Sequence, residues 1–477
     1  LTGGSGADSF MGFVGADTVT GGVGTDTIVL TATSADLNSA TDGQVVTVES
    51  VSAASAAAAV SITLTAQTEG FSITGGASAD TLTGGSGADS FIGFVGADTV
   101  TGGAGTDTII LTATSADLNS ATDAQLATVE AISAAGAASA VSITLGAQSE
   151  GFSITGGASG DTLTGGSGNN NFMGFAGADT VTGGGGVDTI VLTATSATLN
   201  TAIDAQLVTV EAVSAAGAAG AVSITLTAQT EGFSITGGAS GDTLTGGSGD
   251  DSFMGFAGTD TVTGGAGIDT IILTATSATL NTAADATIAT VEAVSAAGAA
   301  GAVSITLTAQ TEGFSITGGA SGDTLTGGSG ADSFLGFAGA DTITGGGGTD
   351  TIILTATSAN LNTATDGQLA TVEAVSAASA AAAVSITLTA QTEAFSITGG
   401  ASADTLTGGS GADSFMGFVG ADTVTGGVGT DTIVLTATSA DLNSATDGQL
   451  ATVEAVSASG AAGAVSITLT AQTEGFS

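Results

Sequence analysis

Residues 75–110 read GGASADTLT, GGSGADSFI, GFVGADTVT and GGAGTDTII, which are four consecutive segments of nine residues. Each segment, here called a nonad, has glycine near its start, Asp in its sixth position and an apolar residue in its eighth. Glycine adopts the backbone angles of tight turns, and one apolar side chain between two polar ones suits a very short strand. Two nonads make one coil with two strands and two turns. Stacked coils predict an all-β fold, a parallel β-solenoid with a narrow apolar core.

The nonads lie inside a longer repeat of 81 residues, marked by SGADSF at Ser5 and its equivalents at Ser86, Ser167 and Ser248. A fixed period of this kind is typical of solenoids, in which each repeat contacts its neighbours. We expect one continuous solenoid that is a slice of a longer array. Its repeats are residues 1–72 (partial), 73–153, 154–234, 235–315, 316–396 and 397–477.

The rest of each repeat predicts a short helical excursion. In the second copy, residues 111–133 contain Thr and Ser at their start and the capping-box spelling Thr122-x-x-Gln125. A strand is expected near residues 129–133. Seven strands and one excursion would then make about four coils per repeat.

Composition excludes several classes of function. The 477 residues include 44 Asp and Glu but no Lys, Arg, His, Cys, Pro, Trp or Tyr, so the formal charge is −44. No cationic side chain can meet a phosphate, which excludes nucleic acid as a partner. No His, Lys or Cys can serve as base, nucleophile or zinc ligand, so we expect no enzyme. No apolar run approaches the roughly 20 residues that span a bilayer, so no membrane insertion is expected.

The Asp residues of the nonads form a predicted acidic ladder. Stacked coils place Asp residues of the same side roughly 5 Å apart. At an effective dielectric constant of about 20, two such charges repel by about 3 kcal/mol. Because the chain has no Lys or Arg, the compensating cation must come from solution. Oxygen ligands on glycine-rich loops favour Ca²⁺ over Mg²⁺, which prefers rigid octahedral sites.

The two sides of the solenoid differ in their predicted metal sites. Asp89 and Asp107 follow turns that keep all their glycines, whereas the turns of Asp80 and Asp98 have Ser78 and Phe94 in place of glycine. The predicted stronger ligands are Asp8, Asp26, Asp89, Asp107, Asp188, Asp251, Asp269, Asp332, Asp350, Asp413 and Asp431. The predicted weaker ligands are Asp17, Asp80, Asp98, Asp161, Asp179, Asp242, Asp260, Asp323, Asp341, Asp404 and Asp422.

The third copy departs from this pattern. It has Asn170 where the other copies have Asp, so its partner Asp188 should bind calcium poorly or through neutral ligands. The fourth copy instead has a second acid, Asp250, beside Asp251.

The spelling GGSGADSFI resembles the RTX (repeats-in-toxin) nonad, GGxGxDxUx with U a large apolar residue. This resemblance covers about 36 residues of each 81. It implies a β-roll in which Gly-turn carbonyls and Asp carboxylates bind Ca²⁺ between coils, and it implies type I secretion. The whole repeat also resembles large surface proteins of cyanobacteria and other Gram-negative bacteria, of the S-layer type or like the fibril protein oscillin.

Simpler interpretations stay open for several features. The Asp residues could only cap tight turns, and Glu130 with its equivalents is expected to be solvated or close to the helix. Phe94 and its equivalents could form an exposed aromatic row, or pack over the neighbouring excursion. Stacked Thr-x-Thr strands, such as residues 81–83 and 99–101, resemble the ice-binding faces of some solenoids but also fit ordinary strand propensity.

We therefore expect a secreted, calcium-stabilised structural protein that self-associates into an extracellular filament, sheath or S-layer at the cell surface. Its expected partners are calcium ions and further copies of itself. The stalk of a giant adhesin is an alternative, and an ice-binding solenoid is a further one.

Overall fold

The computed structural model describes residues 1–473 and 475–477 and divides them into two compact units. One unit comprises residues 1–236 and 246–248, and the other comprises residues 237–245 and 249–477. Within each unit, three-residue strands of successive coils pair in parallel, as Ser90–Ile92 does with Thr108–Ile110. The prediction of an all-β parallel β-solenoid is confirmed. The expected continuity of the whole array stays a prediction.

Each unit has two strand faces. On the continuous face, every strand pairs with the next strand of the same face. On the interrupted face, pairing stops at each excursion, so sheets of up to four strands follow one another. We call the turns that precede the continuous-face strands the first edge, and those that precede the interrupted-face strands the second edge.

The continuous-face strands of the first unit are Ser9–Met11, Thr27–Val29, Ser50–Ser52, Ser72–Thr74, Ser90–Ile92, Thr108–Ile110, Ala131–Ser133, Ser153–Thr155, Asn171–Met173, Thr189–Val191, Ala212–Ser214 and Ser234–Thr236. Its interrupted-face strands are Val19–Thr20, Val45–Val46, Ser61–Thr63, Thr81–Thr83, Thr99–Thr101, Leu126–Ala127, Ser142–Thr144, Thr162–Thr164, Thr180–Thr182, Leu207–Val208 and Ser223–Thr225.

The continuous-face strands of the second unit are Ser252–Met254, Thr270–Ile272, Ala293–Ser295, Ser315–Thr317, Ser333–Leu335, Thr351–Ile353, Ala374–Ser376, Ser396–Thr398, Ser414–Met416, Thr432–Val434 and Ala455–Ser457. Its interrupted-face strands are Thr243–Thr245, Thr261–Thr263, Ile288–Ala289, Ser304–Thr306, Thr324–Thr326, Thr342–Thr344, Leu369–Ala370, Ser385–Thr387, Thr405–Thr407, Thr423–Thr425 and Leu450–Ala451.

The middle residue of each strand supplies the core. Ile73, Phe91 and Ile109 of the continuous face and Leu82 and Val100 of the interrupted face are all at most 2% exposed. Alternation of side chains along a strand leaves the flanking Ser and Thr outside. Burying one such apolar side chain stabilises a fold by roughly 1.5–3 kcal/mol, and the same layer recurs in every coil.

The excursion is confirmed as a short helical segment on the second edge. In the second copy, the helix Ala116–Asn119 begins after the N-cap Ser115, whose hydroxyl accepts from the Leu118 N–H. A 3₁₀ turn, Asp123–Gln125, follows and carries the predicted capping box. Its end leads into the strand Leu126–Ala127.

The α-helices are Ala35–Asn38, Ala116–Asn119 and Ala440–Asn443. The 3₁₀ helices are Asp42–Gln44, Asp123–Gln125, Leu199–Thr201, Asp204–Gln206, Leu280–Thr282, Asp285–Thr287, Leu361–Thr363, Asp366–Gln368 and Asp447–Gln449. The helical turn is α-helical where its sequence is ADLN and 3₁₀ where it is TLNT or NLNT, since Asp in the first turn stabilises a helix N-terminus.

The count of seven strands per repeat is wrong. Residues 61–133 contain eight strands, because Leu126–Ala127 pairs with Thr99–Thr101 as a strand of its own. The excursion is therefore an insertion between two strands and does not form one side of a coil. The four repeats between residues 73 and 396 have four strands on each face.

An asparagine of the excursion covers the sheet edge that the interruption exposes. Asn119 Nδ2 donates to the carbonyl of Ser142 at 3.0 Å, and Asn119 Oδ1 accepts from the Thr144 N–H at 2.8 Å. These two bonds imitate a neighbouring strand for Ser142–Thr144. Unpaired edges are otherwise a liability for association with other chains.

Phe94 is buried beneath the excursion and is 3% exposed. The backbone carbonyl of Phe94 accepts from the Ser115 hydroxyl at 2.7 Å. This hydrogen bond holds the start of the excursion next to Phe94. The predicted packing of Phe94 against the excursion is thus confirmed, and the alternative of an exposed aromatic row is wrong. The equivalent residues Phe13, Phe175, Phe256, Phe337 and Phe418 are buried as well.

Among the helices of residues 1–473 and 475–477, none combines the length and the apolar character of a membrane-spanning segment.

Replacing Asn119 with Ala should expose the edge strand Ser142–Thr144. We expect faster hydrogen exchange at the Thr144 amide, because this N–H loses its acceptor. The matched control is Ser120→Ala, whose hydroxyl bonds only within the helix. Exchange measured by mass spectrometry that is equal in both variants would contradict the covering role of Asn119.

Candidate metal centre

From Asp26 onward, the Asp of each nonad is buried and lies immediately before its strand. Asp89 and Asp107 precede continuous-face strands, and they are 1% and 0% exposed. Asp80 and Asp98 precede interrupted-face strands and are 2% and 0% exposed. In the first copy, Asp8 and Asp17 are half-buried. Buried carboxylates require compensation by hydrogen bonds, by protonation or by cations.

The carboxylates join successive coils in a ladder. The Phe71 N–H donates to Asp89 Oδ1 at 2.7 Å, and the Asp89 N–H donates to Asp107 Oδ1 at 2.7 Å. On the second edge, the Asp80 N–H donates to Asp98 Oδ1 at 2.8 Å. One oxygen of each carboxylate is thereby held by the backbone of the neighbouring coil. The predicted stacking of Asp residues in successive coils is confirmed by these bonds.

The other carboxylate oxygen faces a carbonyl of the next coil. A Cβ atom added to Gly84 would collide with both Asp89 Oδ2 and the carbonyl oxygen of Gly102. The space that this glycine leaves is therefore lined by two hydrogen-bond acceptors. The same pair of acceptors surrounds Gly3, Gly327 and Gly408.

This donor set fits calcium. All its atoms are carboxylate or carbonyl oxygens, which are the ligands of Ca²⁺, and the chain lacks the His and Cys that softer metals prefer. No group of three or more acidic side chains surrounds one point within residues 1–473 and 475–477. Backbone carbonyls must therefore supply much of the coordination. Asp89 and Asp107, together with carbonyls of their glycine turns, are the residues that would hold the ion.

Turn capping accounts for only part of this geometry. The Gly85 N–H does donate to Asp89 Oδ2 at 2.8 Å, as a capped turn requires. A cap does not explain why a carbonyl of the next coil faces the same oxygen. It also does not explain why Asp107 Oδ2 is buried without any hydrogen-bond partner among the described residues.

The second edge is built differently. Asp98 Oδ2 accepts from the Val95 N–H at 3.0 Å. A Cβ atom on Gly93, the first residue of that turn, would meet nothing within 4 Å. Around Gly75 the nearest atoms all belong to Asp80, without a facing carbonyl. Around Gly76 a Cβ atom would lie 3.2 Å from the Ala56 carbonyl oxygen and 3.7 Å from Asp80 Oδ2, so carbonyl and carboxylate are less closely paired here than at Gly84. Which Asp residues bind calcium stays a prediction.

The structure separates the two predicted sets by edge. The predicted stronger ligands follow first-edge turns, and the predicted weaker ligands follow second-edge turns.

Asn170 shows what satisfies these acceptors in the third copy. Its Nδ2 donates to Asp188 Oδ1 at 3.0 Å and to the carbonyl of Gly183 at 3.4 Å. Gly183 corresponds to Gly102 of the second copy. Asn170 Nδ2 thus takes the position that Asp89 Oδ2 has in the second copy, beside Gly165 and next to the Gly183 carbonyl. An uncharged donor replaces one of the two facing acceptors, so this pair needs no cation.

Burial raises the pKa of several ladder carboxyls. The pKa of Asp107 rises to about 6 mainly because the buried side chain loses hydration, and the charges of Asp89 and Glu130 add to the rise. The hydrogen bond from the Asp89 N–H opposes it. Burial also raises the pKa of Asp98 to about 6, with smaller contributions from Asp80 and Asp117. These groups favour either a proton or a cation near neutral pH.

Glu130 is the residue whose role the sequence did not reveal. Its Oε2 accepts from the Asp107 N–H at 2.7 Å, so it continues the ladder after Asp89 and Asp107. Glu130 is half-buried and occupies the place of a nonad Asp, a role that the prediction of a solvated or helix-proximal side chain did not include. The position of Glu130 directly before the strand Ala131–Ser133 could have indicated this role. The stretch around it has no glycine, so it does not resemble a nonad turn. Glu49, Glu211, Glu292, Glu373 and Glu454 make the same bond.

Comparison with protein families agrees with this geometry. The RTX calcium-binding nonapeptide repeat (4 copies) matches residues 1–28, 74–109, 155–190, 236–271, 317–352 and 398–433. The matched segments contain the nonads and leave out the excursions. A comparison with curated proteins found no match.

Substituting Asn170 with Asp should add one calcium ion to the capacity of the chain. The amide donor between Gly183 and Asp188 then becomes a further carboxylate. The control is Asn169→Asp, which adds the same charge at a residue that accepts from the Val187 N–H. Equilibrium dialysis with calcium measures the stoichiometry, and equal values for both variants would contradict the assignment.

The thermal stability of the calcium-free protein should increase as the pH falls from 7.5 to 5. The pKa of Asp107 is about 6 in the folded state against an ordinary value of 3.8, so the folded state binds more protons between these values. This stabilisation is complete below about pH 3.8 and is lost as the pH rises through about 6.

The measurement is the melting temperature in EDTA, followed by circular dichroism. In excess calcium the trend should be the opposite, since protons compete with the metal. A melting temperature in EDTA that decreases between pH 7.5 and pH 5 would refute the role of these carboxyls.

Proposed function

Because the chain is an RTX calcium-binding β-solenoid protein, we propose that it is a secreted structural protein that self-associates into an extracellular filament, sheath or S-layer. Calcium stabilises the solenoid. The observation that carries this proposal is the row of facing carboxylate and carbonyl oxygens in a chain that has no cationic side chain. Folding is thereby linked to calcium, and its repeated surface is suited to assembly.

The ligand set supports an extracellular location. Sites with few acidic side chains bind calcium weakly, in the range of roughly 10⁻⁴–10⁻³ M that is typical of extracellular modules. The first-edge turns combine one or two carboxylates with carbonyls, without a cluster of three acids among the described residues. Such sites are filled at the calcium concentrations outside a cell.

Self-association is supported by the repetition of the outer surface. The continuous face presents the same kinds of outward side chain in each copy, such as Ser90, Ile92 and Thr108 of the second. Contacts that are weak for one repeat add up when several repeats engage together. Exposed apolar side chains at Met11, Val23, Ile268 and Val428 offer further contacts.

The proposed role is mechanical and includes no catalysis. Proton transfer and nucleophilic attack at neutral pH commonly use His, Lys or Cys, which the chain lacks. The ladder carboxylates are engaged by the backbone, as Asp89 is by the Phe71 N–H. They are suited to holding coils together.

Two alternatives would use the same solenoid. As an adhesin stalk, it would remain monomeric and hold a binding domain away from the cell. As an ice-binding protein, it would use stacked Thr-x-Thr strands, and Thr81 and Thr83 do align with Thr99 and Thr101. Each such array ends at the next excursion, where Leu126–Ala127 is the last strand of the sheet. This interruption favours the structural role over ice binding.

The experiment is electron microscopy and analytical ultracentrifugation of the chain in calcium, in magnesium and in EDTA. We expect filaments or layers in calcium only, and their dissociation in EDTA. Monomeric rods in calcium would favour the stalk. Thermal hysteresis in calcium would favour ice binding. A chain whose circular dichroism is identical in calcium and EDTA would refute calcium-dependent folding altogether.

A further inference from the structure

The first edge contains a turn that lacks the nonad spelling. In the second copy this turn is residues 128–130, TVE, between the strands Leu126–Ala127 and Ala131–Ser133. Its strand Ala131–Ser133 pairs with Thr108–Ile110, so the turn lies directly after the nonad turn of Asp107 along the first edge. We call the contact between these two turns the TVE junction, formed by Gly102, Gly103, Asp107, Thr128 and Glu130.

A buried carboxylate oxygen points into this junction. Asp107 is 0% exposed, and its Oδ2 has no hydrogen-bond partner among the described residues. In the preceding nonad, the N–H of the second glycine, Gly85, donates to the corresponding oxygen, Asp89 Oδ2. Here the Gly103 N–H donates to the Thr128 hydroxyl at 2.8 Å. The same unpartnered oxygen recurs in Asp26, Asp188, Asp269, Asp350 and Asp431.

A carbonyl faces the same oxygen. Thr128 has a φ of 50°, a left-handed conformation that is costly for a β-branched residue. A Cβ atom on Gly102 would collide with both the Thr128 carbonyl oxygen and Asp107 Oδ2. The left-handed Thr recurs as Thr47, Thr209, Thr290, Thr371 and Thr452.

Glu130 places a second carboxylate at the junction. Its Oε2 accepts from the Asp107 N–H at 2.7 Å, which leaves Oε1 as the atom that it can offer to a ligand. Two carboxylates and a carbonyl therefore meet where the chain provides no cationic side chain. Such a set lowers its free energy by binding a hard cation.

We propose that each TVE junction binds one calcium ion, in addition to the sites between complete nonads. This inference deepens the calcium-stabilised role proposed above and rests on it. The ion would bridge the turn that contains Thr128 and Glu130 and the turn of the preceding nonad, which contains Asp107. The row of calcium sites would then extend along the first edge beyond the nonads that match the RTX spelling.

The test replaces five junction glutamates with Gln, namely Glu49, Glu130, Glu211, Glu292 and Glu373. The matched control replaces the five exposed glutamates of the AQTEGF-type turns, Glu69, Glu150, Glu231, Glu312 and Glu393, with Gln. Both full-length variants lose the same charge. Calcium stoichiometry and affinity are measured by equilibrium dialysis, and circular dichroism in calcium reports folding.

We expect calcium affinity at five sites of the junction variant to fall by about tenfold or more, since ligand charge sets calcium affinity. The control should keep its stoichiometry. Equal binding in the two variants would overturn the proposal, and so would equal losses.

A second measurement needs no substitution. An anomalous difference map of the calcium-loaded wild-type protein should show a peak between Asp107 Oδ2 and the Thr128 carbonyl. Calcium at the Asp89 turn without a peak at the junction, or with only a water there, would overturn this inference while leaving the proposed function intact. The absence of calcium at every turn would overturn both.

Discussion

The structure depends on the backbone N–H that each coil donates to an Asp carboxylate of the next. The bond from the Asp89 N–H to Asp107 Oδ1 is one example, and it recurs along both edges. A carboxylate held in this way is buried and keeps its charge only if the other oxygen is also compensated. For Asp107 and its equivalents, whose Oδ2 has no hydrogen-bond partner among the described residues, this compensation must come from outside, because the chain has no cationic side chain. Calcium binding is therefore linked to the stability of the fold.

The first and second edges have different roles, since the first is suited to binding cations and the second carries the excursion. The first edge keeps the glycines that let a carboxylate and a carbonyl approach each other, as at Gly84. The second edge carries the excursion, and there Phe94 replaces a glycine and is buried as an apolar support. The excursion interrupts one face, while Asn119 covers the strand edge that this interruption leaves. The continuous face stays free of insertions, which suits the lateral contacts of the proposed assembly.

Asn170 and Thr128 show two different ways in which the hydrogen-bond acceptors at the first edge are, or are not, given a donor by the chain. Asn170 meets them with amide hydrogens, so its copy needs no ion between those two turns. Thr128 has the opposite effect, because its hydroxyl takes the Gly103 N–H and leaves Asp107 Oδ2 unpartnered. The repeats are thus similar in backbone but unequal in their need for a cation.

The sequence by itself determined the fold class, because nine-residue periodicity of glycine, Asp and an apolar residue permits only short strands joined by tight turns. It also determined the need for a cation from solution, because charge is read directly from composition, and its oxygen ligands on glycine-rich turns favour calcium. Only the tertiary structure decided the roles of Glu130, Leu126–Ala127 and Phe94. These residues lie outside the nonad spelling, and their roles come from pairing with segments about 20 or more residues away. Local patterns do not encode such contacts, since backbone position in a neighbouring coil creates them.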